Sequence, residues 1–213
     1  MSRLDLSSLS VADARLVQHG LKSLGFYSGT TRGLPGPKTN ASYDRYLAGF
    51  DRPSGSSDLA RRIVELAAAE IGVREVPRNS NRGCRVEEYQ RATWLNGTGW
   101  PWCAAFLCWL VRELEKDFDL PFARPLTAGA WDFERWARDE GVNLFKPRSE
   151  IRAGDIVVFT FSHIGLAAED ESAGRVITIE GNTDSSGSRE GGGVYRKTRA
   201  TSLVRSHIRL ELG

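Results

Sequence analysis

Trp100-Pro101-Trp102-Cys103-Ala104-Ala105-Phe106-Leu107-Cys108-Trp109-Leu110-Val111 is the stretch on which the fold turns. Cys103, Phe106, Leu107, Leu110, Val111 and Leu114 recur at three- and four-residue steps, which lays one apolar face along a helix. Pro101 sets a turn just upstream, so the helix starts at Cys103. The apolar run is far shorter than the roughly 20 residues of a membrane span and reads as a core helix.

Downstream of it the period changes. Asp155–Phe161, Ile164–Ala168, Val176–Glu180 and Gly193–Arg196 are short β-branched or aromatic runs divided by Gly, Ser, Asp and Glu, with a further run near His207–Leu210. That pattern predicts an antiparallel sheet. Helices first and strands afterwards give an α+β domain rather than a doubly wound sheet. Upstream, Leu59, Ile63, Leu66, Ala67 and Ile71 predict another helix, with Asp58 as its cap.

Ser10-Val-Ala-Asp13 has the form of a capping box, so a helix is expected from there, with an apolar stripe of Val11, Ala14, Val17, Leu21 and Leu24 and a stop at Gly25. A Gly/Pro-rich connection follows, through Phe26, Ser28 and Gly33-Leu-Pro-Gly-Pro37, and then a second helix lined by Ala41, Tyr43, Tyr46, Leu47 and Phe50. Asp51-Arg-Pro-Ser-Gly-Ser-Ser57 is polar and flexible. The expected organisation is a small domain over 1–52, a linker over 53–58 and a larger domain over 59–213.

Of the 213 residues 40% are hydrophobic and 26% charged, which excludes wholesale disorder and fibrous repeats. The net charge of +2 is too small to point to nucleic acid. Three cysteines, Cys84, Cys103 and Cys108, leave at least one thiol free and argue against a disulfide scaffold. The first residues, Met1-Ser-Arg-Leu-Asp-Leu, do not have the form of a secretory signal. The expectation is synthesis in the cytoplasm and action elsewhere after release or delivery.

Cys103 is the candidate nucleophile. The positive end of a helix dipole favours a thiolate, Ala104 and Ala105 leave room for a substrate, and the free N–H groups of a first helical turn can hold an oxyanion. His163, in Phe161-Ser-His-Ile-Gly165 between two expected strands, is the candidate base. Glu180-Gly181-Asn182 offers a carboxylate and an amide two residues apart, either of which can fix the imidazole tautomer.

Trp102-Cys103-Ala-Ala-Phe106, Gly154-Asp-Ile-Val157, His163-Ile-Gly165 and Glu180-Gly-Asn182, in that order, resemble the signature of the CHAP family, the cysteine, histidine-dependent amidohydrolases and peptidases. Glu70-Ile-Gly-Val-Arg-Glu75 and Asn79-Ser-Asn-Arg-Gly83, through Val86 and Tyr89, resemble the lead-in segment of wall hydrolases of that type. The resemblance covers about residues 59–210. It implies a papain-like domain with helices packed on an antiparallel sheet, and cleavage of a peptidoglycan amide by Cys103 and His163, with Glu180 orienting the imidazole and Asn182 as fourth member. Trp102, Trp100 and Asn81 are then the expected substrate contacts. Leu16-Val-Gln18, Leu21 through Gly29 and Gly33 through Thr39, with Ala41 and Tyr43, resemble a small three-helix peptidoglycan-binding domain, departing from it near Ser42–Tyr46, where a Phe-Gln pair is common.

Cys108 lies five positions on, about 140° round the helix, and belongs to the core. Cys84, His19 and His207 have no catalytic partners in sequence, and the basic run Arg196-Lys-Thr-Arg199 reads as a solvated strand face. Zinc chemistry needs three placed ligands, and no HxxxH or CxxC pair occurs, so a cofactor-free and metal-free mechanism is expected. Trp131 and Trp136 are expected in the core. The expected partner is bacterial peptidoglycan, with no nucleic acid and no membrane insertion, for a monomeric hydrolase of the phage endolysin type. The alternatives are a stem-peptide or cross-bridge endopeptidase, including a secreted antibacterial effector, or a wall-binding protein without catalysis.

Overall fold

The computed structural model describes residues 6–23, 27, 29–48 and 56–212. Leu24, Gly25, Phe26, Ser28 and Phe50, and the part of the expected linker at 53–55, lie outside the described residues. The chain divides into two compact units, Met1–Arg52 and Pro53–Gly213.

In the first unit a 3-10 turn, Leu6–Ser8, precedes α1 (Val11–Ser23) and α2 (Pro37–Ala48). Ser10 caps α1 as its sequence demands: its Oγ accepts the Asp13 N–H and donates to the Asp13 carboxylate. Pro37 opens α2, where a missing N–H costs nothing. Gln18 is the polar centre of the unit. Buried on α1, it donates to Leu34 O and Thr39 Oγ1, both at 3.1 Å, and accepts the Gly33 N–H at 2.9 Å.

The second unit is α+β, with helices packed on one antiparallel sheet. It contains α3 (Ser56–Ala69), α4 (Cys84–Gln90), α5 (Cys103–Leu114), α6 (Asp132–Asp139) and strands β1 (Asn143–Phe145), β2 (Ile156–Phe159), β3 (Ile164–Ala167), β4 (Arg175–Thr183), β5 (Gly193–Ala200) and β6 (Val204–Arg209). The sheet order is β1-β6-β2-β3-β4-β5, every pair antiparallel. Since α3 starts at Ser56, residues 56–58 are helical and not linker, and Asp58 sits within the first turn, where its charge complements the dipole. Ile71 falls beyond the helix and is 43% exposed.

Ten of the twelve residues of α5 are buried, so the helix is walled on nearly every side. It packs against Ile63 and Ala67 of α3, Val86 and Tyr89 of α4, and the sheet face carrying Ile156, Val158, Ile164, Leu166, Ile179 and Ile208. Removing one such large side chain, Phe106→Ala for instance, costs about 3–5 kcal/mol. The opposite sheet face is covered by a smaller cluster of Ile151, Val157, Phe159, Ala167, Val176 and Val204.

The Gly154-Asp155 pair is structural. Gly154 has φ 87°, and a Cβ there would lie 2.8 Å from Ala60 Cα, so the residue lets α3 close on the sheet. Asp155 accepts both Nε and Nη2 of Arg209, each at 2.8 Å, and the Arg152 N–H, tying the turn before β2 to β6. In the lead-in segment, Glu70 is gripped by Arg85 and by the Tyr89 hydroxyl, and the Arg85 guanidinium lies 4.4 Å from a Trp109 ring. These residues lock α4 to the end of α3. Among the described residues no helix is long and apolar enough to cross a membrane.

Candidate active site

α5 begins at Cys103, directly after Trp102, and Cys103 is 7% exposed. The loop ahead of it is pinned from three directions. Trp102 stacks on Tyr89 with ring centroids 5.5 Å apart, its indole Nε1–H donates to Glu75 Oε1 at 2.9 Å, and its backbone N–H donates to Asn182 Oδ1 at 2.8 Å. Trp102 is therefore fully buried, and the expectation that it contacts substrate is corrected. It is the wedge that sets the start of the helix carrying Cys103.

His163 stands immediately before β3, after a turn in which Ser162 takes φ 57°. The ring is fully buried and lies against the Phe159 and Phe161 rings, at 6.1 and 5.8 Å. Its Nε2 lies 3.0 Å from Glu180 Oε2. Glu180 in turn is held by the Thr178 hydroxyl (2.5 Å to Oε1) and by both arms of Arg199, Nε to Oε1 at 2.9 Å and Nη2 to Oε2 at 2.5 Å.

Burial would raise the Glu180 carboxyl, but Arg199, His163 and Thr178 outweigh it and hold the group at about 2. Glu180 is thus an acceptor only, which makes His163 Nε2 the protonated nitrogen. Burial likewise pulls the imidazole down. Cys103 and Glu180 outweigh that, and His163 is pushed up to about 9. The second ring nitrogen, Nδ1, is buried with no hydrogen-bond partner, and Cys103 is among the groups that act on the ring.

Glycines make the approach possible. A Cβ on Gly165 would fall 2.6 Å from Glu180 Cγ, so only a glycine on β3 lets that side chain lie flat across it. A Cβ on Gly181 would fall 2.8 Å from both Phe106 Cβ and the Trp102 ring, so β4 meets the start of α5 through a bare backbone. Alternation then puts Glu180 on the far face of β4 from α5.

Asn182 does not follow that alternation. The β4–β5 register shifts between Glu180 and Thr183, and Asn182 takes φ 58°. Its side chain binds the Trp102 N–H, Gly191 O (2.9 Å) and Asn81 Oδ1 (3.3 Å). Of the two residues that stood open as the imidazole's orienter, Glu180 is the one in contact with His163, while Asn182 braces the loop ahead of the candidate nucleophile. Asn81 reaches the site through Asn182 and through Gln90, whose amide bridges Asn81 O and Trp100 O. Trp100 is half-buried, with its indole N–H turned to Gly97 O.

Arg199 corrects a second expectation. The run Arg196–Arg199 is not uniformly a solvated face, because the Arg199 side chain is 11% exposed. Its register partner is Val176, and nothing near it in sequence signals Glu180. Trp131, expected in the core, is 44% exposed; its indole N–H donates to Phe159 O at the end of β2, and Arg205 lies 4.8 Å from the ring. Cys108 is buried, its thiol held on Thr127 O at 3.2 Å and its ionisation pushed well up by burial. Cys84 is exposed at the start of α4. His207 is buried against Phe145, its ring pulled down by burial, on β6, which β2 separates from β3.

A cavity of about 570 Å³ between α3 and the Arg152–Asp155 turn includes none of Cys103, His163 or Glu180. Among the described residues no group of three or more His, Cys, Asp or Glu is placed to hold a metal ion.

No curated protein matches the chain. Residues 95–182 match the family described as the CHAP domain, a span that carries Cys103, His163, Glu180 and Asn182 together, and the match supports a papain-like hydrolase of the CHAP family.

Proposed function

We propose that this protein hydrolyses an amide bond of bacterial peptidoglycan through a Cys103 thioester. The observation that carries the reading is the imidazole of His163, with Nε2 committed to an ionised Glu180 and Nδ1 left to Cys103. Cys103 Sγ passes its proton to His163 Nδ1 and attacks the carbonyl carbon, and the developing oxyanion is met by the Cys103 N–H, which lies in the first turn and has no acceptor within α5. The Trp102 N–H is already taken by Asn182. His163 Nδ1–H protonates the leaving amine as the C–N bond breaks. Water, deprotonated by the same nitrogen, then cleaves the thioester and returns the thiol.

Within this reading the bond is the one joining the muramoyl lactyl group to L-alanine, in a lysis enzyme of the phage endolysin type whose N-terminal unit holds the wall. Support for the substrate is the CHAP match together with the peptidoglycan-binding resemblance of Leu16–Tyr43. Purified sacculi treated with wild type and Cys103→Ala test it, with the products resolved by mass spectrometry. Lactyl-terminated glycan and free stem peptides are expected from wild type alone. New amine ends within the stem peptide would reassign it as an endopeptidase, and equal behaviour of the two proteins would end the cysteine mechanism.

A further inference from the structure

Arg199 on β5 reaches across to β4 and places both arms of its guanidinium on the two oxygens of Glu180, at 2.9 and 2.5 Å, while Nη1 donates to Gly187 O at 3.1 Å. The guanidinium lies 5.3 and 5.7 Å from the Phe161 and Phe159 rings, the same pair that covers His163. His163, Glu180 and Arg199 thus form one line under one aromatic cover, with the carboxylate in the middle. Oε2 is shared between the imidazole and the guanidinium, and Oε1 between the guanidinium and Thr178.

We propose that Arg199 is a positioning residue of the active site, acting through Glu180 to fix the plane of the carboxylate and to limit how tightly it holds the His163 imidazolium. The proposal rests on the cysteine-hydrolase reading. A carboxylate with no exposure and only an imidazole beside it has two poor options: it takes up a proton, or it binds the imidazolium so strongly that the proton does not return to the leaving group. A permanent cation with fork geometry removes both. The charged and titratable groups facing the pair are Cys103 from α5, Glu180 from β4 and Arg199 from β5, with Asp184 acting on Arg199 from the loop after β4. They account for a carboxylate that stays ionised although buried.

Alkylation of Cys103 by iodoacetamide, followed by peptide mass spectrometry from pH 4 to 11, tests this without any wall substrate. In Arg199→Gln, folded by circular dichroism, the alkaline limb of Cys103 alkylation should move up by about one pH unit, because the uncompensated carboxylate holds the imidazolium longer. In a Glu180→Gln background the same change should have almost no further effect, which a merely structural arginine would not show. A folded Arg199→Gln with the wild-type rate and profile overturns the proposal. If Arg199→Gln does not fold, Arg199→Lys decides: it keeps the charge but not the fork, so an alkaline limb moved by about half a pH unit or more supports the proposal and a wild-type profile overturns it. Failure of the underlying reading looks different, since His163→Ala would then match wild type at every pH.

Discussion

The side-chain oxygen of Asn182 accepts the backbone N–H of Trp102 at 2.8 Å, so the residue ahead of the nucleophile is hung from the strand that carries Glu180. Asn182 and Glu180, two residues apart, thereby brace opposite ends of the proposed Cys103–His163 dyad. Asn182→Ala should leave a buried N–H without a partner, cost roughly 1–3 kcal/mol of stability and lower turnover, while the pH limits of activity stay in place. Glu180→Gln should move those limits. Paired denaturation curves and pH–rate profiles separate the two effects.

Gly165→Ala should reduce activity more than it reduces stability. The new Cβ would sit 2.6 Å from Glu180 Cγ, and the strained atom is a side chain that can swing aside only by leaving His163. A destabilisation of about 1–3 kcal/mol with a loss of about tenfold or more in turnover is expected, read from thermal melting and hydrolysis of sacculi.

Two titrations bound the stable range. His163 stands at about 9 in the folded chain against an ordinary 6.5, so its contribution is complete below pH 6.5 and is lost as pH rises through 9. Glu180 stands at about 2 against an ordinary 4.5, so its contribution is complete above pH 4.5 and is lost as pH falls through 2. Urea unfolding across the pH range should give a plateau between these windows, with the alkaline decline weakened in His163→Phe and the acid decline weakened in Glu180→Gln.

Cys108 should resist alkylation in the native protein and react only on unfolding. Burial pushes its thiol up and Thr127 O holds its hydrogen. Peptide mapping after brief iodoacetamide treatment should find label on Cys103 and on the exposed Cys84, and none on Cys108.

In the N-terminal unit, Gln18→Leu should abolish protection of α1 and α2 in hydrogen exchange, because it removes three hydrogen bonds from one buried side chain and strands the Gly33 N–H. Iodoacetamide labelling of Cys103 should be unchanged.

What was legible in the sequence was whatever is local. The period of α5, its start at Cys103, the Ser10 cap and the alternating strand runs all follow from neighbours within a few residues. What escaped depends on register and distance. α4 starts from Gly83 with no side-chain cap, so no local signal marks its first residue. β1 has only three residues and is defined by pairing with β6. Trp102 resembled a groove residue because an aromatic beside a nucleophile has no sequence mark of burial; Glu75 and Asn182, 27 and 80 residues away, decide it. The division of labour between Glu180 and Asn182 turns on one irregular residue in β4, and Arg199 finds its carboxylate across a strand pair.

The position of β6 has a consequence for when the site can form. It is the latest of the described strands to be synthesised, yet it lies inside the sheet, between β1 and β2. Until Val204–Arg209 leaves the ribosome and inserts, β2 lacks a neighbour on one side, and the hairpin that presents His163 has no completed sheet behind it. Cys103, His163 and Glu180 are thus all synthesised before the strand that completes the sheet, and the site takes its final form only after β6 is in place.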